Sequence, residues 1–293
     1  MELVGGQALI EGVMMRNKEK IAMAVRKGKK IIIKTETIKR NIWFKIPIIR
    51  GFLIFLEITI TGLKALTWSA NIQEENKEEQ ISNFSILLMI LLSFIVVVIF
   101  FILLPYLLTY LLGFKESVKP FLFNLIDGII KIIIFVGYLL IISRSKEVYK
   151  LFQYHGAEHK TIACYESNKN LSVSNIKKFS KEHPRCGTSF IIITLVISII
   201  LFALIPTILN YFFPIIKTLS LIKQKLIFFP VRLLIIPLIM GLSYEALKSS
   251  SQLKSSILKP LTFPGLLMQK ITTKEPNNKM IEVAVKALKK IQF

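Results

Sequence analysis

The chain has 293 residues, a formal charge of +21 and a hydrophobic content of 53%. The apolar residues come in unbroken blocks rather than at helical or strand spacing, which excludes an ordinary soluble domain. The basic excess is mostly lysine, 32 against 7 arginines, and sits between the apolar blocks. Base-reading and phosphate-forking sites favour arginine, so nucleic acid is not an expected partner.

Residues 1–45 read as a small N-terminal region with β structure. Segments 22–26 and 30–38 look like strands joined at Lys27-Gly28-Lys29, a hairpin. Glycines punctuate the short apolar runs of the opening block. Met1 to Arg16 lacks the basic start and long apolar stretch of a cleavable signal. Residues 46–80 form the next unit. The apolar stretch 46–67 carries Arg50, Glu57 and Lys64 at seven-residue intervals, on one face of a helix. Such a stripe suits the membrane interface or a bundle that covers it with protein. An acidic linker follows at 71–80.

No charged residue occurs from position 81 to 114, a run longer than the roughly 20 residues that cross a bilayer. Expected spans are 84–112, 120–143, 189–213 and 226–247. The fold class is therefore mainly α: a polytopic membrane protein with about four transmembrane helices, a small N-terminal β-containing region and an interfacial helix. Residues 81–143 and 189–247 form the two membrane units, with 144–188 between them and 248–293 as a tail ending in a short amphipathic helix. The connections 113–119 and 214–225 hold five Lys/Arg, whereas the other non-spanning segments hold 32. The positive-inside rule then puts both termini in the cytoplasm of a multi-pass cell-membrane protein. Its basic face is expected to meet an anionic inner leaflet, and the sequence names no protein partner.

Asp127 and Lys131 fall in the second span and Arg232 in the fourth. Charges at that depth need partners. Asp127 and Arg232 lie at similar depth, roughly 10 Å from the outer surface at a helical rise, so Asp127 is predicted to face Arg232. A pair holding two helices in register explains these groups better than an ion or proton path.

All three histidines and both cysteines fall within 32 residues, positions 155–186. They read Tyr154-His155-Gly156-Ala157-Glu158-His159-Lys160, then Cys164, then His183-Pro184-Arg185-Cys186-Gly187-Thr188. A helix would put His155 and His159 one turn apart on one face, although Gly156 weakens it. His183 and Cys186 are separated by two residues, a spacing common at zinc, and Pro184 puts them in a turn before the third span. A zinc centre with three or four ligands from among His155, His159, His183 and Cys186 is chemically reasonable. His155-x-x-Glu158-His159 also fits the inverted zinc-protease pattern, in which the Glu is the general base. That reading needs a third ligand, from Cys186, His183 or Glu245, and an open position. The alternative is a closed site with four protein ligands and Glu158 orienting an imidazole.

These blocks resemble the YqhQ-like bacterial membrane proteins, a domain of unknown function often labelled a predicted metal-dependent enzyme. The likeness is carried by Gly5-Gly6-Gln7-Ala8-Leu9-Ile10-Glu11-Gly12-Val13-Met14-Met15-Arg16 and by the two histidine blocks. Asn124 with Asp127-Gly128, Ser243-Tyr244-Glu245 and Thr272-Thr273-Lys274-Glu275-Pro276 add to it. The resemblance implies a membrane location and a metal, but names no substrate. Three functions are compatible with the sequence: a membrane-anchored metal-dependent hydrolase, a scaffold or assembly factor with a structural metal, and a transporter component using Asp127, Lys131 and Arg232.

Overall fold

The computed structural model describes residues 4–74, 81–116, 118–252 and 259–292. Four strands come first: β1 (Gly5–Leu9), β2 (Gly12–Arg16), β3 (Lys20–Lys27) and β4 (Lys30–Thr37). The helices are α1 (Ile49–Gln73), α2 (Asn83–Val98), α3 (Leu104–Leu111), α4 (Pro120–Ile142) and α5 (Lys146–Glu166), then α6 (Val173–Ile176), α7 (Gly187–Phe212), α8 (Leu221–Gln252), α9 (Lys259–Thr272) and α10 (Asn278–Gln292).

The strands form an antiparallel meander in the order β1-β2-β3-β4. The expected hairpin is β3–β4, with Lys27 opposite Lys30. The opening block adds a second hairpin, with Leu9 opposite Gly12, that its glycine punctuation did not reveal. β2 and β3 are buried on both faces, so they read as continuous apolar runs rather than alternating ones. One face, Val13, Met15, Ala22 and Ala24, packs with α5 and α10. The other, Met14, Ile21, Met23 and Val25, packs on Ala65, Leu66, Trp68 and Ile72 of α1.

Four helices are long and apolar enough to cross a membrane: Phe84–Leu111, Pro120–Ile142, Gly187–Phe212 and Ile222–Ser250. They coincide with the four expected spans, the last being longer at both ends. A π turn over Ile99–Leu103 joins α2 and α3 into the first. The sheet, α5 and α10 pack together as one body on a single side of these spans, because α5 links the end of α4 to the start of α7.

The segment after 247 is more than a tail. α9 packs along α7. α10 buries Met280, Ile281, Val283, Ala284, Ala287, Leu288 and Ile291, a stripe at helical spacing, against the sheet and α5.

The charged stripe of α1 is largely covered by protein. Arg50 Nε donates to Glu245 Oε1 of α8 at 2.6 Å. Glu57 accepts from Arg40 Nε at 3.0 Å and also from Arg16 of β2, while Lys64 is exposed. The acidic linker expected at 71–80 divides: α1 runs through Gln73, and residues 75–80 lie outside those described.

Asp127 and Arg232 line one cavity, as expected, but each bonds to another residue. Asp127 pairs with Lys131, one turn along α4. Arg232 instead donates to Asn124 Oδ1 at 2.8 Å. The two helices do face each other, but Asp127 has a cation within reach on its own helix, and an i,i+4 pair needs no second helix to form.

Burial raises the pKa of Glu57, but its bonds and charge interactions with Arg40 and Arg16 outweigh this and hold it below the ordinary value. A depressed carboxyl stabilises the fold above its unfolded pKa, and that stability is lost as pH falls through the folded value. Glu57→Gln should therefore cost about 2 kcal/mol at neutral pH and progressively less below the ordinary Glu pKa of about 4. Thermal unfolding of both proteins in detergent across pH measures the difference.

Candidate metal centre

Helix α5 is capped by Ser145, whose hydroxyl accepts from the Val148 N–H at 3.3 Å. Its sequence is polar, yet it buries Tyr154, Glu158, His159, Lys160 and Thr161. A buried polar helix is tolerable only where its groups find partners. Lys160 Nζ meets Glu275 Oε2 at 2.8 Å and donates to the Lys177 carbonyl at 3.1 Å. Tyr154 donates to Glu11 at 3.3 Å, and burial with that neighbouring carboxylate pushes its hydroxyl pKa well up.

His155 and His159 do lie on one face, with ring centroids 4.3 Å apart. Each has its Nδ1 against a backbone carbonyl: His155 with Thr272 O at 2.8 Å, His159 with Lys181 O at 2.6 Å. A carbonyl accepts only, so both rings carry their proton on Nδ1 and leave Nε2 as a lone-pair donor. This is the arrangement found behind metal-binding histidines. Burial lowers the His159 pKa, against contributions from Cys186 that raise it. A neutral imidazole, the form that binds metal, is thereby favoured.

Cys186 completes the cluster. It sits at the end of the Pro184 turn as the cap of α7, with the Thr188 N–H 3.4 Å from its Sγ. That Sγ is 3.2 Å from His155 Nε2. The ligand atoms of His155, His159 and Cys186 lie within 4.8 Å of one another. Tetrahedral zinc with bonds near 2.0–2.3 Å sets its ligands roughly 3.3–3.8 Å apart, so this donor set fits zinc after small movements.

The other predicted residues are placed differently. His183 is close, its ring centroid 5.7 Å from that of His159, but both its nitrogens have partners. Nδ1 accepts from the Arg185 N–H at 3.3 Å, and Nε2 is 3.4 Å from Glu166 Oε2. Glu245 is taken by Arg50. Cys164 is a buried free thiol in the core beneath the sheet. Glu158 is buried, its carboxylate 3.9 Å from His155 Nε2. Burial raises its pKa, with His155 and His183 pulling the other way.

Two glycines make the geometry. A Cβ on Gly6 would stand 2.8 Å from the side chain of Glu158, and one on Gly156 only 2.1 Å from the Lys274 carbonyl. Gly156 thus lets the chain after α9 lie directly on α5, where Lys274 N–H donates to Phe152 O at 2.9 Å and Thr272 O meets His155. Gln269 is a further partner that the sequence reading missed. It is fully buried and brackets His183, accepting from its N–H at 2.7 Å and donating to its carbonyl at 2.9 Å. Gln269 shares its helix face with Gly265, Leu266, Thr272 and Thr273, so no local pattern singled it out.

A cavity of about 240 Å³ opens beside the cluster. Glu158, His155, His159 and Cys186 form one wall, while Ile54, Phe55, Ile58, Phe190 and Leu247 line much of the rest.

Comparison with known sequences puts the site in context. The chain belongs to the DUF1385 family. The family model, described as a protein of unknown function, matches residues 46–292. The chain is similar to the uncharacterized protein YqhQ of Bacillus subtilis (strain 168), 31% identical over 305 aligned positions, covering 98% of this chain and 91% of that one. No solved structure matches it. The YqhQ-like resemblance therefore holds, and the metal-enzyme label attached to such proteins finds no support in these comparisons.

Gly156→Ala should lower stability by about 1–3 kcal/mol, because backbone rather than a mobile side chain fills the space a methyl would need. Gly137→Ala, where nothing lies within 4 Å, is the control and should be neutral or stabilising. Thermal unfolding of the two variants in detergent checks both.

Proposed function

We propose that this protein is a zinc-dependent hydrolase acting on a membrane-associated substrate at the cytoplasmic face of the cell membrane. The observation that carries the reading is the difference between the histidines. His155 and His159, each anchored through Nδ1 to a backbone carbonyl, turn their other nitrogen towards Cys186, while His183 has both nitrogens engaged elsewhere. Three protein donors leave a fourth position open, and next to it lie a cavity and a buried carboxylate. A structural zinc site is normally closed by four protein ligands.

When bound, the ion would act as a Lewis acid towards the bond to be cleaved. The chain's own part is proton handling. Burial keeps Glu158 basic enough to take the proton of an attacking water and then pass it to the leaving group. The Thr272 and Lys181 carbonyls fix the imidazoles, and the apolar wall excludes bulk water. The cytoplasmic orientation rests on the lysine asymmetry and on the folding of the sheet, α5 and α10 onto one side of the spans.

A second reading, a scaffold whose metal clamps the fold, is favoured by one observation. The same residues tie α5 to the 181–186 turn and to the end of α9. Metal analysis of purified variants separates the readings. Wild type and His183→Ala should hold about one zinc, while His155→Ala, His159→Ala and Cys186→Ala should each weaken binding at least about tenfold. Loss of zinc from His183→Ala as complete as from Cys186→Ala would mean a closed site. Glu158→Gln should keep zinc and fold but slow turnover by about 10²–10⁴-fold, seen as membrane components that wild type consumes and the variant leaves. Identical membrane profiles would favour the scaffold.

A further inference from the structure

The substrate's chemistry can be read from the wall opposite the cluster. Arg16 ends β2, is 8% exposed and lines the cavity. Its Nη2 meets Glu57, but Nη1 is buried and has no partner among the described residues. Glu57 is shared with Arg40, so two guanidiniums face one carboxylate and one positive charge is left over. The cavity's other guanidinium, Arg185, is paired with Glu166. The wall therefore holds a guanidinium with a buried nitrogen that lacks a partner, beside two cations that share one carboxylate, and both features ask for an anion.

The rest of the cavity asks for hydrocarbon. Ile54, Phe55 and Ile58 of α1 face Phe190 and Leu247, and the Phe55 and Phe190 rings stand 5.9 Å apart. Phe190 is in the first turn of the span Gly187–Phe212, and Leu247 is in the last turn of Ile222–Ser250. The apolar wall thus lies where the spans leave the membrane, at the boundary between head groups and acyl chains. Ile58 is 41% exposed, so the wall continues to the surface that lipid would touch. A drug-sized ligand fills roughly 300–1,000 Å³. At about 240 Å³ the cavity is smaller than that, so a lipid bound in it would leave much of its hydrocarbon chain outside.

We propose that the cavity binds an anionic lipid, with its head group on Arg16 and its hydrocarbon chain running past Phe55 and Ile58 into the membrane. This deepens the hydrolase reading, on which it rests for calling the lipid a substrate. A membrane peptide would also suit the apolar wall, but its neutral backbone gives the spare guanidinium no anion.

Native mass spectrometry of the full chain released from detergent micelles counts bound zinc and bound lipid on the same ion. Oleoyl lysophosphatidic acid is the probe. Oleoyl lysophosphatidylcholine, inorganic phosphate and a C-terminally amidated leucine-rich peptide are the comparators. Wild type should retain one lysophosphatidic acid at least about tenfold better than any comparator. Arg16→Lys, which keeps a charge for Glu57, and Ile58→Glu, at an exposed position, should each cut retention about tenfold without displacing zinc. Equal retention of the choline lipid, preference for the peptide, competition by phosphate alone, or unaltered binding by both variants would overturn the proposal. Selective, variant-sensitive lipid binding to a chain without zinc would support the lipid site and overturn the metal reading instead.

Discussion

Two hydrogen bonds set the character of this molecule: His155 Nδ1–H donating to Thr272 O and His159 Nδ1–H donating to Lys181 O. Each joins α5 to a chain segment that precedes or follows a membrane helix. Each also decides which ring nitrogen keeps a proton, and therefore which lone pair faces Cys186. Without them a buried and a half-buried imidazole would stand on the helix with little to justify the cost. With them, the same contacts that close the fold aim three donor atoms at one point.

The consequences spread outward from that clamp. For Thr272 to reach His155, the chain after α9 must lie on α5, and Gly156 is what permits the approach. For Lys181 to reach His159, the turn ahead of α7 must be held, and Gln269 holds it from α9 through both backbone groups of His183. α10 then covers the sheet, whose second strand carries Arg16 to the cavity. A protein whose mass is mostly apolar helix thus gathers many of its buried polar groups, Glu158, His159, Lys160 and Gln269 among them, in one small body at the ends of the spans. Their position at that level is the physical basis for proposing a substrate drawn from the membrane.

Much of this was legible in the sequence, and the boundary is instructive. The four spans announce themselves because bilayer thickness demands long uncharged runs. The β3–β4 hairpin showed in Lys27-Gly28-Lys29 between two apolar strands. His155 and His159 could be paired from their spacing, and Cys186 was placed in a turn by Pro184, since these are local relations. What stayed hidden depends on which segments meet in space. The Thr272 and Lys181 carbonyls have no side-chain signature, and Gly156, read as a weakness of the helix, turned out to be the condition for a contact. The two-residue spacing of His183 and Cys186 suggested a joint ligand pair, yet Glu166 and the Arg185 N–H engage the histidine. Asp127 was matched to Arg232 by depth alone, which says nothing about the nearer Lys131.

X-ray absorption at the zinc edge of the purified, zinc-loaded full chain tests the central claim most directly, because it reads the donor atoms themselves. The account predicts zinc held by one sulfur and two imidazole nitrogens, from Cys186, His155 and His159, with an oxygen donor in the remaining position. A spectrum with two or more sulfurs, with three imidazoles, or with oxygen donors alone would contradict it.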